Sequence, residues 1–221
     1  HSGVTHQHVR AIANNLKMAQ GLRGSEKIQQ TRIEMTHEEA KPSLVPVAER
    51  SKLGAKLHRK EPIFTVEINP PKGIDFGKFF EHCAVLAERQ VQFVNIPDGA
   101  RAMARVSSMH LATCIQQRFG IEAIPHFTAR DRNLLGLQAD LLGGHVNGLR
   151  NLLLVTGDPP KLGNCPGASG VYDVDAIGLT HIAHRLNSGT DLGGSRFGKP
   201  TEFVIGVALN PTALNAELEI S

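Results

Sequence analysis

The chain has no tryptophan, a single tyrosine and only three cysteines among its 221 residues. The cysteines form no C-x-x-C pair and have no spacing suited to zinc, so we expect neither a disulfide framework nor a metal site. No apolar run reaches the roughly 18 residues that a membrane-spanning helix needs. These absences predict a reduced, cytoplasmic protein that does not enter a membrane.

Several catalytic and binding signatures are absent as well. The sequence contains no phosphate-binding loop of the Walker type, no Rossmann glycine fingerprint, no nucleophile elbow and no H-E-x-x-H helix. Its basic excess lies in residues 1–60, which hold 11 Lys or Arg against 5 Asp or Glu but no Phe, Tyr or Trp. A solvated linker face explains such charges, so no nucleic-acid partner is predicted.

The front of the chain is interpreted as a helix followed by a linker. Residues 5–22 carry apolar side chains at helical spacing, and glycines end the pattern. Residues 25–60 are polar and basic, and prolines interrupt them. We therefore divide the chain into a helical tail at 1–24, a basic linker with short helical turns at 25–60, and a folded domain at 61–221.

The folded domain alternates strands with helices about every 30 residues. Strands are predicted over 63–66, 93–96, 122–125, 151–155 and 203–208. The helices between them are one capped by Asp75 and three over 105–119, 131–146 and 174–186. Strands this apolar are typical of parallel sheets covered by helices, and the absence of a Rossmann fingerprint favours a (β/α)₈ TIM-type barrel over a doubly wound sheet. Because a full barrel needs roughly 250 residues, we expect an incomplete α/β barrel of about five of eight strands.

Residues able to do chemistry end the first four predicted strands, namely Glu67, then Pro97 and Asp98, then His126, then Asp158. Barrel enzymes place their active sites at the carboxyl ends of the strands, which directs attention to Glu67, His126 and Asp158. A carboxylate facing a crowded pocket is desolvated and can hold a proton for delivery, although Glu67 could equally be an exposed strand end. His126 could equally be a buried histidine that is satisfied within the protein.

The string at 155–161 (VTGDPPK) is the most specific local pattern. Gly157 permits close backbone approach, the two prolines stiffen the exit, and Asp158 is held at the rim of the fourth strand. A rigid turn between strand and helix is the alternative interpretation. Arg130 and Asp131, which follow the third strand, are interpreted as a helix cap and its neighbour.

Taken in order, the strand ends resemble those of methylenetetrahydrofolate reductases. The resemblance rests on residues 64–71 (FTVEINPP), 125–128 (PHFT) and above all 154–161 (LVTGDPPK). It covers residues 62 to about 215. The family consists of flavoprotein barrels that bind FAD noncovalently, take hydride from NADH or NADPH, and reduce 5,10-methylenetetrahydrofolate to 5-methyltetrahydrofolate.

The resemblance implies roles for individual residues. Glu67 would be the general acid that opens the bridging methylene of the folate. Asp158 would lie between flavin and folate and stabilise the cationic intermediate. The residues implied as FAD contacts are Pro97, Asp98, Ala100, His126, Thr156, Gly157, Asp158 and, at the end of the fifth strand, Asn210.

Residues 3–12 (GVTHQHVRAI) are similar to the last motif of homocysteine S-methyltransferases. In that family a cysteine pair precedes the glycine and binds zinc, whereas His1 and Ser2 stand here, so no metal is carried over. The tail, the basic linker and the reductase-like barrel together imply that the chain is the middle portion of a protein in which a homocysteine methyltransferase domain is fused to the reductase. The sequence does not decide whether the protein forms a homo-oligomer. The rival functions are a methyltransferase partner module and a non-catalytic folate-binding fragment.

Overall fold

A computed structural model describes residues 45–209. The predicted helix over residues 5–22, the first part of the linker and the candidate site residue Asn210 lie outside the described residues. The division of the chain at residues 24 and 60 stays a prediction. No helix within residues 45–209 is long and apolar enough to cross a bilayer.

Five parallel strands form one sheet whose spatial order follows the chain order. The strands are β1 (Thr65–Glu67), β2 (Phe93–Ile96), β3 (Glu122–Thr128), β4 (Asn151–Val155) and β5 (Val204–Val207). Two short helices, α1 (Val47–Arg50) and α2 (Lys52–His58), precede the sheet. The helices between strands are α3 (Gly77–Glu88), α4 (Ser108–Phe119), α5 (Leu134–Val146) and α6 (Ala176–Asn187). The α/β prediction is confirmed, and the sheet is an unclosed part of a barrel.

Side-chain caps determine where four of the described helices begin. Oxygens of Ser51, Ser107, Asn133 and Asp175 each accept a hydrogen bond from the backbone N–H three residues later, at the starts of α2, α4, α5 and α6. The prediction that α5 starts at Asp131 is wrong. The Asp131 carboxylate instead pairs with Arg130, and Asn133 supplies the cap.

Successive strand residues point to opposite faces of the sheet. The residues on the face that the helices cover form the hydrophobic core together with the helices. The largest strand residues in this core are Ile96, Phe127, Leu152 and Leu154. On the other face, which is the barrel interior, the register places Glu67 beside Asn95 and His126 beside Leu153. The expectation that the strands are buried on both faces is wrong for β1, whose three residues are all exposed because this strand is an edge of the sheet.

The helices α1 and α2 close the amino-terminal end of the sheet. The Glu122 carboxylate accepts hydrogen bonds from the backbone N–H groups of Lys52 (2.9 Å) and Leu53 (2.8 Å), where the helix dipole favours a negative charge. The Leu53 side chain is buried against Phe93 and Ile124. The last part of the predicted linker is thus packed against the barrel domain.

Candidate active site

The carboxyl ends of β1 to β4 surround a cavity of about 430 Å³, which is within the usual size range of small-molecule sites. Its lining residues are Glu67, Pro97, Asp98, Gly99, Ala100, His126, Thr128, Arg130, Val155, Gly157 and Asp158. The structure therefore brings together most of the residues predicted for the site. Parallel strands produce this gathering because they all end at the same edge of the sheet.

Glu67 ends β1 at the rim of the cavity. It is exposed, so the desolvated surroundings expected for this carboxylate are not seen within residues 45–209, where β1 is an edge strand. The neighbouring Asn95 amide donates to the Thr65 hydroxyl at 2.7 Å and not to Glu67. Both carboxylate oxygens are therefore accessible to a ligand in the cavity.

His126 projects from β3 into the cavity. Burial lowers the pKa of its imidazole, and the carboxylates of Glu67 and Asp98 offset part of this effect. The ring is thus neutral at pH 7, with one donor and one acceptor nitrogen. Among residues 45–209, its buried Nε2 atom has no hydrogen-bond partner. Because buried polar atoms are rarely left unpaired, this nitrogen is available to bond a ligand in the cavity.

Asp98 joins the end of β2 to the end of β3. Its Oδ2 atom accepts hydrogen bonds from the Thr128 backbone N–H (3.1 Å), the Thr128 hydroxyl (3.0 Å) and Nη1 of Arg132 (2.8 Å). The Asp98 side chain is only 8% exposed. We call Asp98, Thr128 and Arg132 the strand-end clasp, because they hold together two of the loops that form the cavity.

Gly157 and Asp158 follow β4 and line the same cavity. Gly157 has φ +95°, in the left-handed region that favours glycine, and a Cβ there would lie 3.0 Å from Cβ of Thr128. The backbone therefore approaches β3 more closely than a side chain would allow. Asp158 is exposed, and its Oδ2 accepts a hydrogen bond from the Arg101 backbone N–H at 3.1 Å.

Thr156 does not line the cavity. Because neighbouring residues at a strand end face opposite sides, Val155 points to the cavity and Thr156 points away from it. The Thr156 hydroxyl accepts a hydrogen bond from the backbone N–H of Ala176 at the first turn of α6 (3.0 Å). Its contact with a ligand in this cavity is therefore not supported by the geometry.

Sequence reasoning missed two arginines of the site. The Arg130 side chain is 5% exposed and lines the cavity, and Arg132 belongs to the strand-end clasp. The signal was the R-D-R string at 130–132, where three charged residues begin two positions after the end of a buried strand. Within the described chain, no group of three or more His, Cys, Asp or Glu side chains is placed to hold a metal ion.

A comparison with family models matches residues 52–212 to the model described as methylenetetrahydrofolate reductase. The matched range contains all five strands and every residue that lines the cavity. The search of curated proteins found no match.

Proposed function

Because the chain belongs to the methylenetetrahydrofolate reductase family, we propose that it reduces 5,10-methylenetetrahydrofolate to 5-methyltetrahydrofolate. In this proposal NADH or NADPH is the hydride donor and FAD is the bound cofactor. Members of the family are TIM barrels of one-carbon metabolism. The observation that carries the proposal is the gathering of Glu67, His126 and Asp158, from three separate strands, around one cavity. Such a cavity offers an acid, an uncharged hydrogen-bonding ring and a carboxylate to one ligand.

The residues present fit a flavin. The buried Nε2 of His126, which has no partner among residues 45–209, can bond a polar atom of the ring, and the apolar parts of Pro97 and Ala100 line the same cavity. The backbone at Gly157 carries no side chain that would obstruct a planar group. FAD, when bound, supplies a two-electron carrier between the nicotinamide and the folate. The FAD contact expected of Asn210 stays a prediction.

Glu67 and Asp158 have different tasks in this proposal. Glu67 delivers a proton to the folate nitrogen that releases the bridging methylene, which leaves the methylene carbon electron-poor and ready to accept hydride. Asp158 stabilises the positive charge that develops as this C–N bond opens. Both carboxylates are exposed at the rim, where a folate lying over the cavity would meet them.

The test separates the two half-reactions in the Glu67→Gln variant. Flavin reduction by NADH or NADPH, followed as loss of flavin absorbance, should proceed almost normally because it needs no proton from Glu67. Flavin reoxidation by methylenetetrahydrofolate should slow by on the order of 10²–10⁴, the usual contribution of general acid catalysis. Glu81→Gln, an exposed carboxylate on α3, is the matched control and should change neither rate.

Two results would contradict these assignments. Equal loss of both half-reactions would remove the role of Glu67 as the acid. Full-length protein that stays colourless after incubation with FAD, and that does not oxidise NADH or NADPH in its presence, would contradict the proposed function itself.

A further inference from the structure

Arg130 has the most buried charged side chain at the carboxyl ends of the described strands, with 5% of its side-chain surface exposed. It lines the candidate active-site cavity and also an adjoining cavity of about 340 Å³ between the loops after β2, β3 and β4. A buried guanidinium is costly unless it is paired, so its contacts indicate what it does for the fold and for the site.

The guanidinium of Arg130 connects three loops. Its Nε and Nη2 donate to the Asp131 carboxylate at 2.8 and 2.7 Å, an arrangement that fixes the plane of the group. Its Nη1 then points to two carbonyl oxygens, those of Gly99 (3.3 Å) and Asp158 (3.4 Å). One nitrogen therefore joins the loop after β2 to the first residues of the loop after β4.

The main chain of Arg130 holds the other end of that last loop. Its carbonyl oxygen accepts a hydrogen bond from the Val171 backbone N–H at 2.8 Å. The Tyr172 hydroxyl donates back to the Gly157 carbonyl at 3.3 Å, which closes the loop on itself. The loop from Gly157 to Tyr172 is thus tied to Arg130 near both of its ends.

We propose that Arg130 is a positioning residue that sets the place of the Asp158 carboxylate in the active-site cavity. The Asp158 side chain is exposed and its only side-chain hydrogen bond within the described residues comes from the Arg101 backbone, so its position depends on the backbone that Arg130 holds. The expected effect on the rate of folate reduction rests on the proposed function, whereas the expected effect on the loop at residues 157–172 does not.

Loss of the Arg130 guanidinium should lower mainly kcat for folate reduction. Misplacing a reacting group by about 1 Å can cost on the order of 10²-fold in rate, whereas binding of flavin and folate draws on many other contacts. Removal of the Arg130 guanidinium should therefore slow folate reduction by about 10- to 100-fold. The KM for folate and the Kd for FAD should change by less than about threefold, because Asp158 acts on the developing charge and not on the ground state.

The experiment compares Arg130→Met and Asp131→Asn with Arg118→Met in the full chain. Asp131 is exposed, and asparagine at this position keeps the shape of the side chain but lacks the negative charge that orients the Arg130 guanidinium. Arg118 is an exposed arginine on α4, stacked over Phe80 away from the cavity, and is the matched control. The readouts are hydrogen exchange of amides 157–172 without any ligand, and the split between kcat and KM for folate.

Faster exchange at residues 157–172 in both variants but not in the control, together with a fall in kcat at nearly constant KM, is the expected result. Unchanged exchange in Asp131→Asn would overturn the inference even if Arg130→Met failed to fold. A parallel loss of flavin affinity and of kcat would assign Arg130 a general structural role instead. If the unaltered protein reduced no folate, the proposed function would fail, while the exchange result would still decide whether Arg130 holds the loop.

Discussion

Replacement of Asp98 by alanine should destabilise the protein far more than a comparable change at an exposed carboxylate. The Oδ2 atom of Asp98 accepts three hydrogen bonds, two from Thr128 and one from Arg132, and the side chain is 8% exposed. Arg132 also pairs with Asp140 at 2.8 Å, and the Asp140 side chain is 51% exposed. The two acids thus share one arginine but differ in burial.

The expected free-energy cost follows from these contacts. Removal of one partner of a buried ion pair costs about 3–5 kcal/mol, because the remaining charge is left uncompensated. Arg132 keeps Asp140 and is itself 16% exposed, which reduces the expected cost of Asp98→Ala to about 2–4 kcal/mol. Asp140→Ala removes only an exposed pairing and should cost less than about 1 kcal/mol.

Urea unfolding followed by far-ultraviolet circular dichroism measures both costs. Asp98→Ala should move the midpoint to lower urea with little change in slope, and Asp98→Asn should fall between it and the unaltered protein because its amide oxygen can still accept from Thr128. Equal costs for Asp98→Ala and Asp140→Ala would refute the reasoning, since burial would then make no difference to the pair.

Three further predictions concern other parts of the fold. Leu53→Ala opens the packing below the sheet and should cost about 2–4 kcal/mol in urea unfolding, whereas Leu57→Ala, at a side chain that is 49% exposed, should cost under about 0.5 kcal/mol. Burial lowers the pKa of His145 in the folded protein below the unfolded-state value of 6.5. The contribution of this residue to stability is therefore complete above pH 6.5. It is lost as the pH falls through the folded-state pKa, because protonation then favours the unfolded chain. Unfolding free energies measured from pH 7.5 to 5 should show this fall, and His145→Gln should flatten it. Burial raises the pKa of the Cys83 thiol to about 11, and Cys165 is exposed. A thiol reagent at pH 8 should therefore modify Cys165 rapidly and Cys83 only after denaturation. Rapid labelling of Cys83 in the folded protein would contradict its burial.

The kinds and order of the elements could be predicted from the sequence, because hydrophobic periodicity and turn residues act over a few neighbouring positions. The predictions of β2 over 93–96 and β4 over 151–155 agree with the structure, and that of β3 begins at the observed residue but ends three residues early. Helix starts were less accurate. The first turn of α5 depends on whether Asp131 is available as a cap, and its pairing with Arg130 removes it.

The sequence alone determined which chemically active residues stand at or near the carboxyl ends of the strands, because parallel strands all end at one edge of the sheet. Glu67 ends β1 and Asp158 follows β4, whereas the prediction that His126 ends β3 is wrong, because β3 continues to Thr128. Only the tertiary structure decided how those ends are held. Asp98 reaches Thr128 across 30 residues, and Arg130 reaches Asp158 across 28. Such contacts depend on the register between neighbouring strands and on burial, which no local pattern encodes.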